Sequence, residues 1–140
     1  MIRRLILRES ERNAIAAHLA QNYPAEGCGL LLGRPEDAGI AVLAIAPTAN
    51  VAADPRKYFE VDPAAILRCQ RETRGRGLGI VGHFHSHPDG EARLSRTDLA
   101  SASWTDLAWL VVAMSKGEAV DWRSFWLRHD NEFEAMEIAP

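Results

Sequence analysis

The sequence predicts an α/β fold in which helices flank a mixed central β-sheet. Helical and strand-like segments alternate along most of the chain, and the C-terminal third is rich in strand-like segments. At 140 residues, of which 47% are hydrophobic, the chain has the size of one ordinary domain with a substantial core. We therefore expect a single domain over residues 1–140.

Short apolar segments bounded by glycine, proline and polar residues predict the strands of this sheet. In chain order, the strands are predicted at residues 2–7, 27–32, 40–46, 78–85, 107–114, 122–127 and 133–138. A turn over 33–39 is expected to connect the second and third strands, and the last two form a hairpin-like pair around 129–131. The polar segment 47–57 predicts a loop, and the segment 58–61 after it is expected to be extended.

Three helices are predicted between these strands. Ser10 is expected to cap the first helix, which ends before Pro24 because proline cannot continue it. Asp62 followed by Pro63 indicates the start of the second helix, since aspartate is a favoured N-cap and proline is favoured in the first turn. This second helix is expected to end at Gly75 and Gly77. Ser95 opens the third helix.

Composition and charge exclude several classes of function. The net charge of −3 and the pI of about 5.9 give no general attraction for the phosphates of nucleic acids. No apolar run reaches the roughly 18 residues that a membrane helix needs, and the N-terminal segment lacks the apolar core of a signal peptide. Cys28 and Cys69 are too few and too far apart for a disulfide framework. We expect a cytoplasmic protein with reduced thiols that binds neither nucleic acid nor membrane.

Three histidines occupy alternating positions at the end of the fourth predicted strand. His83, His85 and His87 precede Pro88, and residues two apart on a strand project from the same face. Neighbouring histidines are then about 6.6 Å apart along the backbone, so two imidazoles can converge on one metal ion. The outer two are about twice as far apart, so all three are not expected to share it. A further ligand should come from elsewhere, and Asp98 is the nearest carboxylate with a fixed local position.

Ser95 and Asp98 allow two interpretations. The spacing Ser-x-x-Asp is typical of a helix N-cap with an acidic first turn, and without the histidines this local interpretation would be as good as a ligand role. The nearby histidines favour the ligand interpretation.

The pattern His-x-His-Pro-x6-Ser-x2-Asp over 85–98 resembles the signature of the JAMM (MPN-plus) metalloproteases, whose members include deubiquitinases. That family also has a glutamate upstream at the start of a strand, and Glu26 before Gly27-Cys28-Gly29 is similar to it. The chain looks like a compact, prokaryotic version. The resemblance implies the JAMM/MPN fold, which is cytidine-deaminase-like.

The resemblance also implies a role for each matching residue. His85, His87 and Asp98 would hold one zinc ion per chain and leave a fourth position open for water. Zinc lowers the pKa of such a water toward about 7. Glu26 would be the general base, and Ser95 would donate a hydrogen bond to the oxygen that becomes negative during the reaction. The proximity of Glu26 to the histidines is implied by the resemblance alone.

The implied activity is that of a zinc metallopeptidase acting on the C-terminal amide of a ubiquitin-like or sulfur-carrier protein. The tail of that partner is expected to add as a strand beside an exposed edge, for which 58–61 and the preceding loop are the candidates. Two substrates stay open at this point. One is an isopeptide-linked target, as for a deubiquitinase-like isopeptidase, and the other is a cysteine adduct of a carrier protein.

Each of these assignments also has a non-catalytic interpretation. Glu26 also fits an ordinary exposed acid after Pro24, and His83 is expected to pack beside the site or support a ligand rather than bind metal. For the protein as a whole, the alternatives are a module that binds ubiquitin-like tails without cleaving them and a site whose zinc is purely structural.

Overall fold

The computed structural model describes residues 2–101 and 104–140. Within these ranges the chain forms seven strands and three helices, including all seven strands that the sequence predicts. In chain order the elements are β1 (Arg4–Leu7), α1 (Glu9–Asn22), β2 (Cys28–Glu36), β3 (Gly39–Thr48), α2 (Pro63–Thr73), β4 (Gly79–Pro88), α3 (Arg96–Ser101), β5 (Leu107–Ser115), β6 (Glu118–Leu127) and β7 (Phe133–Ala139).

The strands form one mixed sheet in the order β1-β3-β2-β4-β5-β6-β7. β1 pairs in parallel with β3, and β4 pairs in parallel with β5, whereas β2 is antiparallel to both of its neighbours. β1 also pairs in parallel with β7, which closes the sheet into a barrel. The predicted mixed sheet with helices is confirmed, and its closure is a feature that the sequence did not indicate.

The core lies inside this sheet and beneath α1. All residues of β5 from Leu107 to Met114 are buried, and alternate residues of this strand, from Ala108 to Met114, belong to the core cluster. Ile15 and Leu19 of α1 are fully buried in the same cluster. Each such side chain contributes about 1.5–3 kcal/mol by leaving water. The core is continuous up to β4, whose last residues form the candidate site.

Several predicted boundaries are wrong, among them the start of the sixth strand, which was predicted at 122 and lies at Glu118. α1 begins at Glu9, and Ser10 lies inside its first turn, where its hydroxyl donates to the Glu11 carboxylate instead of capping the helix. The turn predicted over 33–39 is shorter, because β2 continues to Glu36 and β3 resumes at Gly39. Pro35 is tolerated in this strand because the pairing of β2 with β4 ends before it, so its missing N–H lies on a free edge.

The segment 58–61 is not a sheet edge. Residues 58–60 belong to no strand, and Val61 only forms an isolated bridge with Asn50. The next prediction is confirmed: the Asp62 carboxylate accepts a hydrogen bond from Ala64 N at 3.0 Å and so caps α2. No helix in the described ranges is both long and apolar enough to cross a membrane.

Candidate metal centre

The end of β4 and the start of α3 form the base of the candidate site. β4 pairs with β2 as far as His85 and with β5 through His87, which holds the alternating histidines on one face of the sheet. The chain then turns at Asp89, whose φ of 57° lies in the left-handed region that aspartate tolerates. Asp89 is fixed there by hydrogen bonds from Tyr23 Oη (2.6 Å) and Lys116 N (3.2 Å). The Asp-Gly pair that follows β4 was the sequence signal for this turn.

Ser95 and Asp98 form a reciprocal cap at the start of α3. Ser95 Oγ accepts a hydrogen bond from Asp98 N at 3.0 Å, and Asp98 Oδ2 accepts one from Ser95 N at 2.9 Å. The cap and ligand interpretations of this motif are therefore compatible, because the cap orients the Asp98 carboxylate toward β4. No described residue accepts a hydrogen bond from the Ser95 hydroxyl.

Three side chains converge with the spacing of a tetrahedral metal site. Nε2 of His85 lies 3.2 Å from Nε2 of His87. Oδ1 of Asp98 is 3.2 Å from His85 Nε2, and Oδ2 is 3.2 Å from His87 Nε2. Metal–ligand bonds of about 2.0–2.1 Å in a tetrahedron separate the ligand atoms by roughly 3.3–3.4 Å. The two imidazole nitrogens and the Asp98 carboxylate, with one oxygen beside each imidazole, are therefore spaced closely enough to hold one metal ion.

Glu26 lies beside these donors although it is far from them in the sequence. Its carboxylate and the imidazole nitrogens of His85 and His87 all lie within 4.8 Å of one another. The antiparallel pairing of β2 with β4 produces this proximity: Gly27 N donates to Ser86 Oγ at 2.8 Å, and Gly27 O accepts from Ser86 N at 3.0 Å. Glu26 is only 7% exposed, so it is not the ordinary surface acid of the alternative interpretation.

Burial and neighbouring charges set the protonation of the cluster. Burial raises the pKa of Glu26 to about 7, which suits a group that exchanges protons near neutrality. Burial lowers the pKa of His85 and keeps its imidazole neutral. Burial would raise the pKa of Asp98, but hydrogen bonds from His85 and His87 outweigh it and hold that pKa far below its usual range. Burial lowers the pKa of His87, but the Asp98 carboxylate, the hydrogen bond to Glu91 O and the charge of Glu26 together outweigh it and raise that pKa.

The two imidazoles are oriented in different ways. Nδ1 of His87 donates to Glu91 O at 2.8 Å, which leaves Nε2 to bind a ligand. Nδ1 of His85 is buried and has no hydrogen-bond partner among the described residues. The Phe59 ring instead stacks on the His85 ring, with 4.0 Å between centroids and 12° between planes.

His83 lies next to the cluster but outside it. Its ring packs edge-on against Trp109, with centroids 4.4 Å apart, and is 6.0 Å from the His85 ring. Another histidine, His18 of α1, is half-buried with Nε2 2.9 Å from Cys28 O. It ties α1 to the start of β2.

Asn50 is a site residue that the sequence interpretation missed. Its Nδ2 donates to Glu26 O at 2.8 Å and to Tyr58 O at 2.9 Å, and its Oδ1 accepts from Glu60 N at 3.0 Å. One side chain thus joins the backbone of Glu26 to the loop that carries Phe59. The available signal was an asparagine at the start of a polar loop, where its amide commonly replaces backbone partners.

Two grooves meet at the cluster. The basic groove, of about 610 Å³, contains His87 and extends between the segments 56–57 and 90–97. The loop groove, of about 340 Å³, contains Asp98 and extends along 52–60. Both are lined by Glu26, Lys57, Ser95 and Thr97. A larger cavity of about 690 Å³, bounded by α1, β6 and β7, contains none of the clustered side chains.

Comparison with known proteins gives consistent matches over most of the chain. A family model described as prokaryotic homologues of the JAB domain matches residues 8–128. The desampylase of Haloferax volcanii is 36% identical over 141 residues, covering 97% of this chain and 96% of that protein. The CysO-cysteine peptidase of Mycobacterium tuberculosis is 30% identical over 121 residues, covering 86% of this chain and 81% of the peptidase.

A solved structure matches the architecture as well. The solution structure of a Desulfitobacterium hafniense protein superposes with a TM-score of 0.83 at 30% identity, covering 96% of this chain and 90% of the other.

Proposed function

The chain belongs to the family of prokaryotic JAB-domain homologues, and from that membership we propose that it is a metal-dependent peptidase. Its reaction is hydrolysis of the amide at the C-terminus of a ubiquitin-like or sulfur-carrier protein. The relatives named desampylase and CysO-cysteine peptidase support this class of substrate. The resemblance seen in the sequence motif is thus confirmed at the level of the family.

One observation carries the proposal: the convergence of a buried glutamate with two imidazoles and an aspartate at the junction of two grooves. A purely structural metal site needs no acid of raised pKa beside it and no access for a substrate. Here Glu26 borders both grooves, and burial raises its pKa to about 7. The arrangement supports catalysis rather than structural metal binding.

Zinc is the metal that fits the donor set best. Two imidazole nitrogens and one carboxylate close together are typical of catalytic zinc sites, which keep a further position for water. When bound, zinc supplies Lewis acidity and makes water a nucleophile near neutral pH. We assign the ligand role to His85, His87 and Asp98, with one ion per chain.

Glu26 and Ser95 would carry the remaining steps. Glu26 accepts the proton that the attacking water loses and returns it to the nitrogen of the leaving amine, so a pKa near 7 serves both transfers. Ser95 Oγ already accepts a hydrogen bond from Asp98 N, and its own hydrogen is directed to the carbonyl oxygen of the substrate as negative charge develops there.

The tail of the carrier protein would lie in the loop groove. The tail is therefore not expected to add as a strand at 58–61, because that segment is not a sheet edge. The groove offers Tyr58 and Phe59, and it leads directly to Glu26 and Asp98. An extended peptide lying along it brings its C-terminal carbonyl to the cluster.

The test compares Glu26→Gln with a matched control, Glu72→Gln, on the exposed face of α2. We expect Glu26→Gln to keep stoichiometric zinc by elemental analysis and to lose about 10²–10⁴-fold in hydrolysis, since only the general base is removed. Glu72→Gln should match the unmodified protein, and His87→Ala should lose both metal and activity. The substrates are a ubiquitin-like carrier linked to a lysine side chain and the same carrier linked to cysteine.

Each outcome has a defined meaning. Turnover retained in Glu26→Gln would contradict the mechanism. Absence of stoichiometric zinc from the unmodified protein would favour a module that binds carrier tails without cleaving them.

A further inference from the structure

The basic groove has a concentration of cations that the overall charge does not suggest. Arg56, Lys57, Arg93 and Arg96 line it, and all four are exposed, in a chain with a net charge of −3. Arg93 pairs with Glu91 at 3.0 Å. The other three form no ion pair with any described residue, so their charges are available to a ligand.

The loop groove on the other side of the cluster has a different character. Its lining includes Asp54 and Glu60 together with the aromatic rings of Tyr58 and Phe59, and Lys57 is its one cation. A substrate amide held at Glu26 must extend into both grooves, because Glu26 borders both. The two sides of the scissile bond therefore meet different electrostatic environments.

We propose that the basic groove binds a carboxylate on the amine side of the scissile amide. This rests on the proposed function, in which the carrier tail occupies the loop groove and leaves the basic groove to the amine portion. Hydrolysis yields the carrier carboxylate and a free amine, and the groove recognises a second, pre-existing carboxylate near that amine. Its two possible sources are the α-carboxylate of a released amino acid and an acidic side chain next to an acceptor lysine.

The expected selectivity is moderate and depends on salt. Exposed ion pairs are individually weak, so several cations together are expected to favour a carboxylate by about fivefold in kcat/KM. Because these charges are exposed, the preference should shrink at high ionic strength. Comparison with a neutral substrate of the same size isolates the effect of the carboxylate charge on kcat/KM.

The experiment uses the zinc-loaded protein and two matched pairs of substrates. In one pair the carrier tail ends in a single amino acid with a free α-carboxylate or with a carboxamide. In the other pair the carrier is linked to a lysine in a peptide where the neighbouring residue is glutamate or glutamine. We expect a preference of about fivefold for the carboxylate in at least one pair, and the pair that shows it identifies the source.

A double variant, Arg56→Gln with Arg96→Gln, assigns the preference to the groove. It should bring the two members of the responding pair to similar kcat/KM values. Arg76→Gln is the matched control, because Arg76 is exposed and precedes the first residue of β4, at the opposite end from the histidines. The substituted side chains are exposed, so thermal unfolding should stay unchanged in every variant.

Three results would overturn the inference. Equal rates within both substrate pairs would do so while leaving the proposed function intact. A preference that persists in the double variant would remove the groove from the explanation. Hydrolysis of no substrate at all would contradict the proposed function, and the inference with it.

Discussion

His85, a proposed metal ligand, is held by packing, whereas most metal-binding histidines are held by a hydrogen bond. Its Nδ1 has no partner among the described residues, whereas Nδ1 of His87 donates to Glu91 O. The face of the His85 ring is covered by Phe59, with 4.0 Å between the ring centroids, and the nearly perpendicular Trp109 ring has its centroid 5.9 Å away. Phe59 therefore orients His85 by contact, and the loop that carries Phe59 is part of the site.

Loss of this contact should weaken metal binding. We expect Phe59→Ala to lower zinc affinity by roughly tenfold, the lower end of the effect of losing an orienting partner. Competition with a chromophoric chelator measures this directly, without any substrate. Phe59→Tyr keeps the ring and should retain the affinity.

Tyr58→Ala is the control for Phe59, because Tyr58 is the adjacent aromatic residue in the loop groove and stacks on no histidine. Its zinc affinity should equal that of the unmodified protein. If Phe59→Ala also bound zinc with unchanged affinity, the role assigned to the ring would be wrong.

At the scale of the elements, α3 combines a structural and a chemical task in one turn. Ser95 caps the helix through Asp98 N, and Asp98 returns the bond to Ser95 N. The same carboxylate lies 3.2 Å from both imidazoles. The start of a short helix thus fixes the distance between the candidate ligand on α3 and those on β4.

Two substitutions at Ser95 test its cap and its hydroxyl while leaving the fold intact. Ser95→Ala removes both the cap and the hydroxyl, so we expect a loss of about 1 kcal/mol in unfolding free energy and of about 10²–10³-fold in kcat. Ser95→Thr keeps a hydroxyl and should recover most of both. Urea unfolding and steady-state hydrolysis are the two measurements. Full activity in Ser95→Ala would show that the hydroxyl does not assist the reaction.

β2 shows how one element links distant parts of the site. Its first residue, Cys28, lies opposite His85, so the residues just before the strand are brought beside the cluster. At its other end the register shifts at Gly33, where a Cβ would lie 1.8 Å from Ala41 O. Only glycine permits this close approach, so Gly33 allows β2 and β3 to stay paired across the shift in register.

At the scale of the whole molecule, the core does not depend on the metal centre. The buried cluster includes side chains from β1, α1, β2, β3, β4, β5 and β7, and only the end of β4 enters the site. The barrel is closed by backbone hydrogen bonding between β1 and β7. The fold should therefore form without zinc, in contrast to small domains that a structural metal holds together.

Removal of the metal tests this expectation. Zinc present at 100 times its dissociation constant would stabilise the folded state by about 2.7 kcal/mol. For a chain of this size we expect chelation to lower Tm by roughly 5–10 °C while the far-ultraviolet circular dichroism stays unchanged. Loss of the secondary structure on chelation would instead indicate a structural zinc. Re-addition of zinc should restore the original Tm.

Some features of the structure could be predicted from the sequence and others could not. The start of α2 was predictable because Asp62 and Pro63 act within one turn. The Ser10 cap was wrong because Glu9 continues the helix by one residue, and such ends depend on weak local competition. Asn50 was missed because its partners lie both nearby and across the fold, at Tyr58 and Glu26.

By itself, the sequence determined what depends on neighbouring residues: the strand and helix segments, the common face of the alternating histidines, and the Ser-x-x-Asp turn. The tertiary structure decided how β1 meets β7, which loop covers His85, and how Glu26 comes within 4.8 Å of residues that follow it by about sixty positions. These features depend on strand order and register, which are set by burial of the whole chain. Local preferences act over only a few residues and cannot specify them.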